Sequence, residues 1–137
     1  MDLLNDRERF LIYQLDSTYK DRYQQDPCAN PSLVYFVGDR FEFSCTWSAA
    51  SGRIPTFRKN PAKFIHRQSL KIYTGQEKLA IMGWPVNGTL AQGMLTTTVP
   101  SLDPARSDFL AGNSMHVANC AIVMMVALSC FGYRDIK

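Results

Sequence analysis

The sequence predicts a small single α+β domain with an N-terminal helix, short antiparallel strands and a long apolar C-terminal helix. Three observations carry that expectation. Leu11, Leu15 and Tyr19 recur every four residues in the opening stretch, which is the period of one helix face. The next third of the chain holds short β-branched and aromatic runs, Leu33 to Val37 and the alternating Phe41, Phe43, Cys45 and Trp47. From Ser114 to Tyr133 the chain carries no formal charge, as a buried central helix would.

Taken in order, the first helix is expected from Leu3 to about Gln24. Asn5 with Glu8 three residues on has the form of a cap and its reciprocal partner. Two prolines within Asp26-Pro27-Cys28-Ala29-Asn30-Pro31 cannot continue it, so a turn follows. Leu33 to Val37 reads as a strand, Gly38-Asp39 as a turn, and Phe41 to Trp47 as a half-buried strand. Ala49 to Gly52 is a loop of small residues leading into the extended, basic Arg53 to Lys59, and Lys63 to Tyr73 is a further strand. Thr74 opens a helix over Gln76 to Met82. Asn87 to Asp108, rich in Gly, Thr, Pro and Ser, reads as an irregular connection or a short helix around Leu90 to Met94. The last helix is expected to start after Asn113 and run to about Phe131.

Composition sets broad limits. The chain has 137 residues, 46% hydrophobic and 20% charged, which argues against extended disorder. Its net charge of +3, with basic residues spread through the middle and no block of like charges, is compatible with phosphate contact but does not demand it. Cys28, Cys45, Cys120 and Cys130 form no C-x-x-C pair and have no His at zinc-finger spacing. They read as buried free thiols in an intracellular, reducing compartment, with no metal site. The charged opening Met1 to Arg9 does not have the form of a signal peptide. The uncharged Ser114 to Tyr133 run admits a tail anchor as a rival reading. His116, Asn119 and Ser129, together with its short apolar length, favour a core helix, and a membrane partner is not expected.

Two strings carry the functional reading. Thr74-Gly75-Gln76-Glu77 can form a capping box, and Gly83-Trp84-Pro85 can end the same helix, with Gly in the left-handed conformation and Pro preventing its resumption. Further on stands Gly112-Asn113-Ser114-Met115-His116-Val117, read as a cap opening the apolar helix. In this order and spacing they resemble the last two motifs of DNA cytosine-5 methyltransferases. The resemblance covers roughly Arg53 to Phe131. It implies that Thr74, Glu77, Gly83, Trp84 and Pro85 form a structural brace, and that Gly112, Asn113 and Ser114 lie beside the methionine end of S-adenosylmethionine. Pro55-Thr56-Phe57-Arg58 resembles the family's Pro-Thr element near bound DNA, which makes Arg53, Thr56, Arg58 and Lys59 the nucleic-acid candidates. One departure is Ala80, which stands where the family commonly has Arg.

The family's chemistry requires a cysteine nucleophile, a Glu at the cytosine ring and a Gly-rich cofactor turn. These 137 residues contain no Phe-x-Gly-x-Gly and no Glu-Asn-Val, and the single Pro-Cys pair, Pro27-Cys28, comes too close to Thr74 to leave room for the elements between. No catalytic residue is assigned. The expected organisation is a helix over 1–25, a reduced recognition-like segment over 26–52 and a methyltransferase C-terminal region over 53–137. The expected function is a C-terminal fragment or split subunit of a methyltransferase-like protein, silent alone, with DNA and a catalytic subunit in trans as partners. Its expected location is the nucleus or another DNA-containing compartment. A non-enzymatic DNA- or protein-binding remnant and a tail-anchored membrane protein are the alternatives.

Overall fold

The computed structural model describes residues 4–44, 47–58, 63–100 and 103–131. It divides into two units, Met1–Thr74 and Gly75–Lys137, and each is described by itself.

In the first unit Asn5 caps helix α1 (Asp6–Tyr23): its side chain accepts from the Glu8 amide at 2.8 Å, and the Glu8 carboxylate accepts from the Asn5 amide at 2.9 Å. The helix stops at Gln24, which turns left-handed at φ 52°. Leu11, Leu15 and Tyr19 are buried as the period predicts, and they pack with Leu4, Leu33, Tyr35, Val37 and Ile65 in one core. Asp26 caps a 3-10 turn at Pro27–Ala29.

Three antiparallel strands lie in the order β1 (Val34–Phe36), β2 (Phe64–His66) and β3 (Lys71–Ile72). Tyr35 faces Ile65, and Ile65 faces Ile72, so the β-branched and aromatic residues form cross-strand pairs. The single strand expected over Lys63 to Tyr73 is therefore a hairpin, turned at 67–70 with Leu70 at φ 54°. Among the described residues β1 has no strand neighbour on its other side. There the buried Ser48 hydroxyl accepts from the Val34 amide at 2.8 Å and donates to the Val34 carbonyl at 3.1 Å. One side chain thus satisfies both outward backbone groups of Val34 on this edge.

Two expectations need correction here. The strand over Phe41 to Trp47 does not form: Phe41–Phe43 is a 3-10 turn, helix α2 (Trp47–Ser51) begins at its far end, and Cys45 and Thr46 lie outside the described residues. With about three residues per turn, Phe41 packs toward the core while Phe43 stays exposed, so the alternation in the sequence does not mark two sheet faces. Ala49 to Ser51, expected as a loop, is the body of α2, and the left-handed Gly52 at φ 64° follows it.

Polar contacts join α1 to the sheet. Arg67 donates to Asp16 through both Nε and Nη2 at 2.8 Å, and the Tyr35 hydroxyl donates to the same carboxylate at 2.9 Å. Lys63 reaches Glu8 at 2.8 Å. His66 has a definite tautomer: the Ser69 amide can only donate, so Nδ1 accepts from it and Nε2–H donates to the Pro31 carbonyl at 2.8 Å.

The second unit is helical: α3 (Gly75–Ile81), α4 (Gly88–Gly93), α5 (Pro104–Asn113) and α6 (Val117–Cys130). Helix α5 was not expected. Asp103 caps it by accepting from the Arg106 amide at 2.9 Å, and Pro104 occupies its first turn. Helix α6 is the largest correction, because no residue of the expected core helix is buried. Its large apolar side chains from Ile122 to Leu128 are 52–80% exposed. The thiols differ from expectation as well: Cys28 and Cys120 are half-buried, Cys130 is exposed, and Cys45 is outside the described residues.

Asp16→Ala should destabilise the first unit by about 2–4 kcal/mol, since it leaves a largely buried guanidinium and a phenol without their acceptor; urea unfolding would measure this. Tyr35 gives a pH signature. Burial, and then the Asp16 carboxylate beside it, raise its phenol far above the usual tyrosine range. Above about pH 10 the unfolded chain releases this proton while the folded chain keeps it, so stability present below that pH is lost as pH rises. Unfolding midpoints measured between about pH 8 and 11 should fall more steeply for the native chain than for Tyr35→Phe.

Candidate functional site

The site is built in the second unit from the close approach of α3 and α5. A Cβ added at Gly75 would lie 2.5 Å from the Ser107 Cβ and 2.6 Å from the Asp108 amide nitrogen. Only a glycine lets the first turn of α3 come this near to α5. One turn along, the buried Lys78 reaches the Asp108 carboxylate at 2.6 Å, a charge-assisted bond that keeps the lysine paired where water is scarce.

Helix α3 starts one residue after Thr74, which puts Thr74 at the N-cap position and Glu77 at the third helical position. At its other end the Trp84 amide donates to the Leu79 carbonyl at 3.0 Å and the Gly83 amide to the Ala80 carbonyl at 2.9 Å, with Gly83 at φ 82°. This is the paired-bond termination that a left-handed glycine permits. Pro85, which cannot donate, is buried just beyond, and its carbonyl accepts from the Val99 amide at 2.8 Å.

Gly112 and Asn113 do not open a helix. They form the last turn of α5, and Ser114, Met115 and His116 separate it from α6. The Asn113 side-chain amide donates to the Phe109 carbonyl at 2.7 Å, and the Ser114 hydroxyl to the Ala111 carbonyl at 3.4 Å. Both satisfy carbonyls at the negative end of α5, where a carboxylate is disfavoured. The start of α6 is held by the Val117 amide donating to the Met82 carbonyl at 2.9 Å, immediately before Gly83.

These ties bring the two strings together. Trp84, Pro85, Ser114 and Met115 line one groove of about 780 Å³, with Met94 and Met124 among its other walls. Gly112 and Asn113 do not line it. Among the described residues, Trp84 Nε1 and His116 Nδ1 are buried with no hydrogen-bond partner. The groove is mostly apolar, with Ser114, Thr96, Thr97 and Thr98 as its hydroxyl-bearing members. It does not fit a cradle for the cofactor's carboxylate, since Asn113 is committed to α5.

The nucleic-acid candidates lie in the first unit and are unequal. Arg58 pairs with Asp39, and its guanidinium sits 5.4 Å from the centre of the Phe36 ring. Arg53 and Thr56 are exposed on a segment without regular structure, and Lys59 lies outside the described residues. Comparison with family models, with curated proteins and with solved structures gives no match.

Gly75→Ala should force α3 and α5 apart at a cost of about 1–3 kcal/mol. Limited proteolysis should show faster cleavage around α5 in this variant, with the first unit unchanged.

Proposed function

We propose that this chain is the C-terminal portion of a cytosine-5 DNA methyltransferase-like protein, silent by itself and completed by a catalytic portion that supplies the cofactor turn, the Pro-Cys nucleophile and the Glu. The observation that carries this reading is the uncovered apolar helix α6 beside a groove at which both motif strings meet. An apolar helix exposed on every face is stable in water only when another surface covers it. The bound cofactor supplies the methyl group; Ser114 and Trp84 would form part of its pocket, and Arg53 and Thr56 would add DNA phosphate contacts. Arg58 contributes only after release from Asp39.

The tail-anchor alternative draws on the same helix, since the Pro104–Cys130 stretch has a mean hydropathy of 1.4 in its most apolar window. That stretch is broken at 114–116, and α5 carries Arg106 and Asp108 with Ser107 and Ala111 buried in the unit. The 14 residues of α6 rise about 21 Å, against about 30 Å of bilayer core.

The test is calorimetry with S-adenosylmethionine on the chain alone, on a segment carrying the three catalytic motifs, and on the two produced together. Binding is expected only in the joint product, and Val123→Glu with Met125→Glu should abolish co-purification. A joint product that neither binds the cofactor nor methylates cytosine overturns the reading in favour of a remnant that binds without catalysis.

A further inference from the structure

A second recess lies in the first unit, outside every motif considered above. It measures about 270 Å³ and is open, and its lining includes Arg7, Phe10 and Gln14 from α1, and Arg40, Phe41 and Glu42 from the 3-10 turn and its cap. Phe10 is 62% exposed and Tyr13, one turn further along α1, is 71% exposed. Phe43, on the same 3-10 turn as Phe41, is also exposed. The buried positions of α1 are Leu11, Leu15 and Tyr19, while Phe10 and Tyr13 stay in water.

The charges around the rings are informative. Among the described residues neither Arg7 nor Arg40 forms an ion pair, whereas Asp39 at the same recess is taken by Arg58. The two guanidinium groups therefore remain available beside an open ring face. Gln14 and Glu42 add an amide and a carboxylate that can hydrogen-bond a polar edge.

We propose that this recess binds a nucleotide with an unstacked base, the base lying on Phe10, its edge meeting Gln14 and Glu42, and the flanking phosphates meeting Arg7 and Arg40. Aromatic faces combined with arginines are what single-stranded nucleic acid needs, because every base offers a π face and its phosphates carry the charge. A protein side chain as anchor would call for an apolar pocket, whereas five of the eight lining residues are polar or charged. The volume is below that of a site for a drug-sized ligand and suits one planar ring system. The proposal does not rest on the methyltransferase reading, since it uses neither the groove of the second unit nor α6.

The experiment uses the full 137-residue chain and a labelled single-stranded oligothymidine of about ten nucleotides, read by fluorescence anisotropy. Expected is binding that exceeds binding to a duplex of the same length. Its logarithm should fall against log salt with a slope of about −1.4, a loss of roughly sevenfold between about 50 and 200 mM for two phosphates. Phe10→Ala should weaken binding about tenfold, and Arg7→Ala should make the slope shallower by about 0.7, with melting curves unchanged because both side chains are exposed. Competition by a mononucleotide as effective as the oligomer assigns the site to free nucleotides, and weaker competition assigns it to strands; both support the proposal. No binding, equal binding to duplex, or indifference to Phe10→Ala overturns it. So does loss of self-association in Phe10→Ala without an effect on oligomer binding, which would make the aromatic patch a protein contact. Because Phe10→Ala leaves α6 intact, joint cofactor binding is measured separately and can fail without touching this result.

Discussion

The Asp16 carboxylate holds the first unit together. It projects from α1, takes two hydrogen bonds from Arg67 and one from Tyr35, and so links the helix to the first strand and to the turn after the second. Bidentate geometry fixes direction as well as distance, so α1 cannot slide along the sheet without losing both guanidinium bonds. The apolar core beneath, from Leu15 and Tyr19 to Tyr35 and Ile65, supplies the larger part of the driving force but is indifferent to register. The polar triad supplies the register. It also explains why Tyr35, with no exposed surface, can keep a hydroxyl inside: its proton has a charged acceptor.

The second unit is organised differently, by closeness of backbones. Gly75 brings α3 against Ser107 and Asp108, and Lys78 with Asp108 closes the contact electrostatically. Gly83 then turns the chain so that Trp84 and Pro85 face the groove, while the carbonyl before it receives Val117 and fixes where α6 begins. Two glycines and one backbone hydrogen bond therefore place the two motif strings beside each other. Ala80 is half-buried within α3 and contributes a carbonyl to the helix end.

What the sequence made legible follows from how local each signal is. The Asn5–Glu8 box, the period of Leu11, Leu15 and Tyr19, and the Gly83 stop are decided within one or two turns, and each forms as read. Phe41 to Trp47 alternates as a strand would, but the 3-10 turn separates Phe41 from Phe43, and Ser48 already bonds Val34 on the β1 edge where such a strand would pair. Gly112-Asn113-Ser114 was misread because glycine and asparagine serve both helix ends, and only the Asn113 bond to Phe109 shows which one. Helix α5 did carry a signal in Asp103-Pro104, a cap followed by a first-turn proline, but its few apolar residues gave no periodicity to support it. The Asp16 triad and the Gly75 approach were invisible for a plain reason: their members lie 19 to 51 residues apart in one case and 32 in the other.

The exposure of helix α6 constrains what kind of surface can cover it. Pairing with one neighbouring helix covers a stripe of roughly 100° and leaves the opposite face in water. Ile122, Val123, Met124, Met125 and Val126 occupy consecutive positions, so they point in every direction around the axis, and all are more than half exposed. A second copy of the chain meeting α6 face to face would cover only some of them. Full cover of this helix would take a surface on at least two of its sides, such as a cleft. The three methionines near the groove, Met94, Met115 and Met124, are flexible enough to adapt to such a cleft, and the exposed faces of Val123 and Val126 provide rigid β-branched contacts for its walls. A surface that wraps α6 would therefore cover more of its apolar area than one docked helix could.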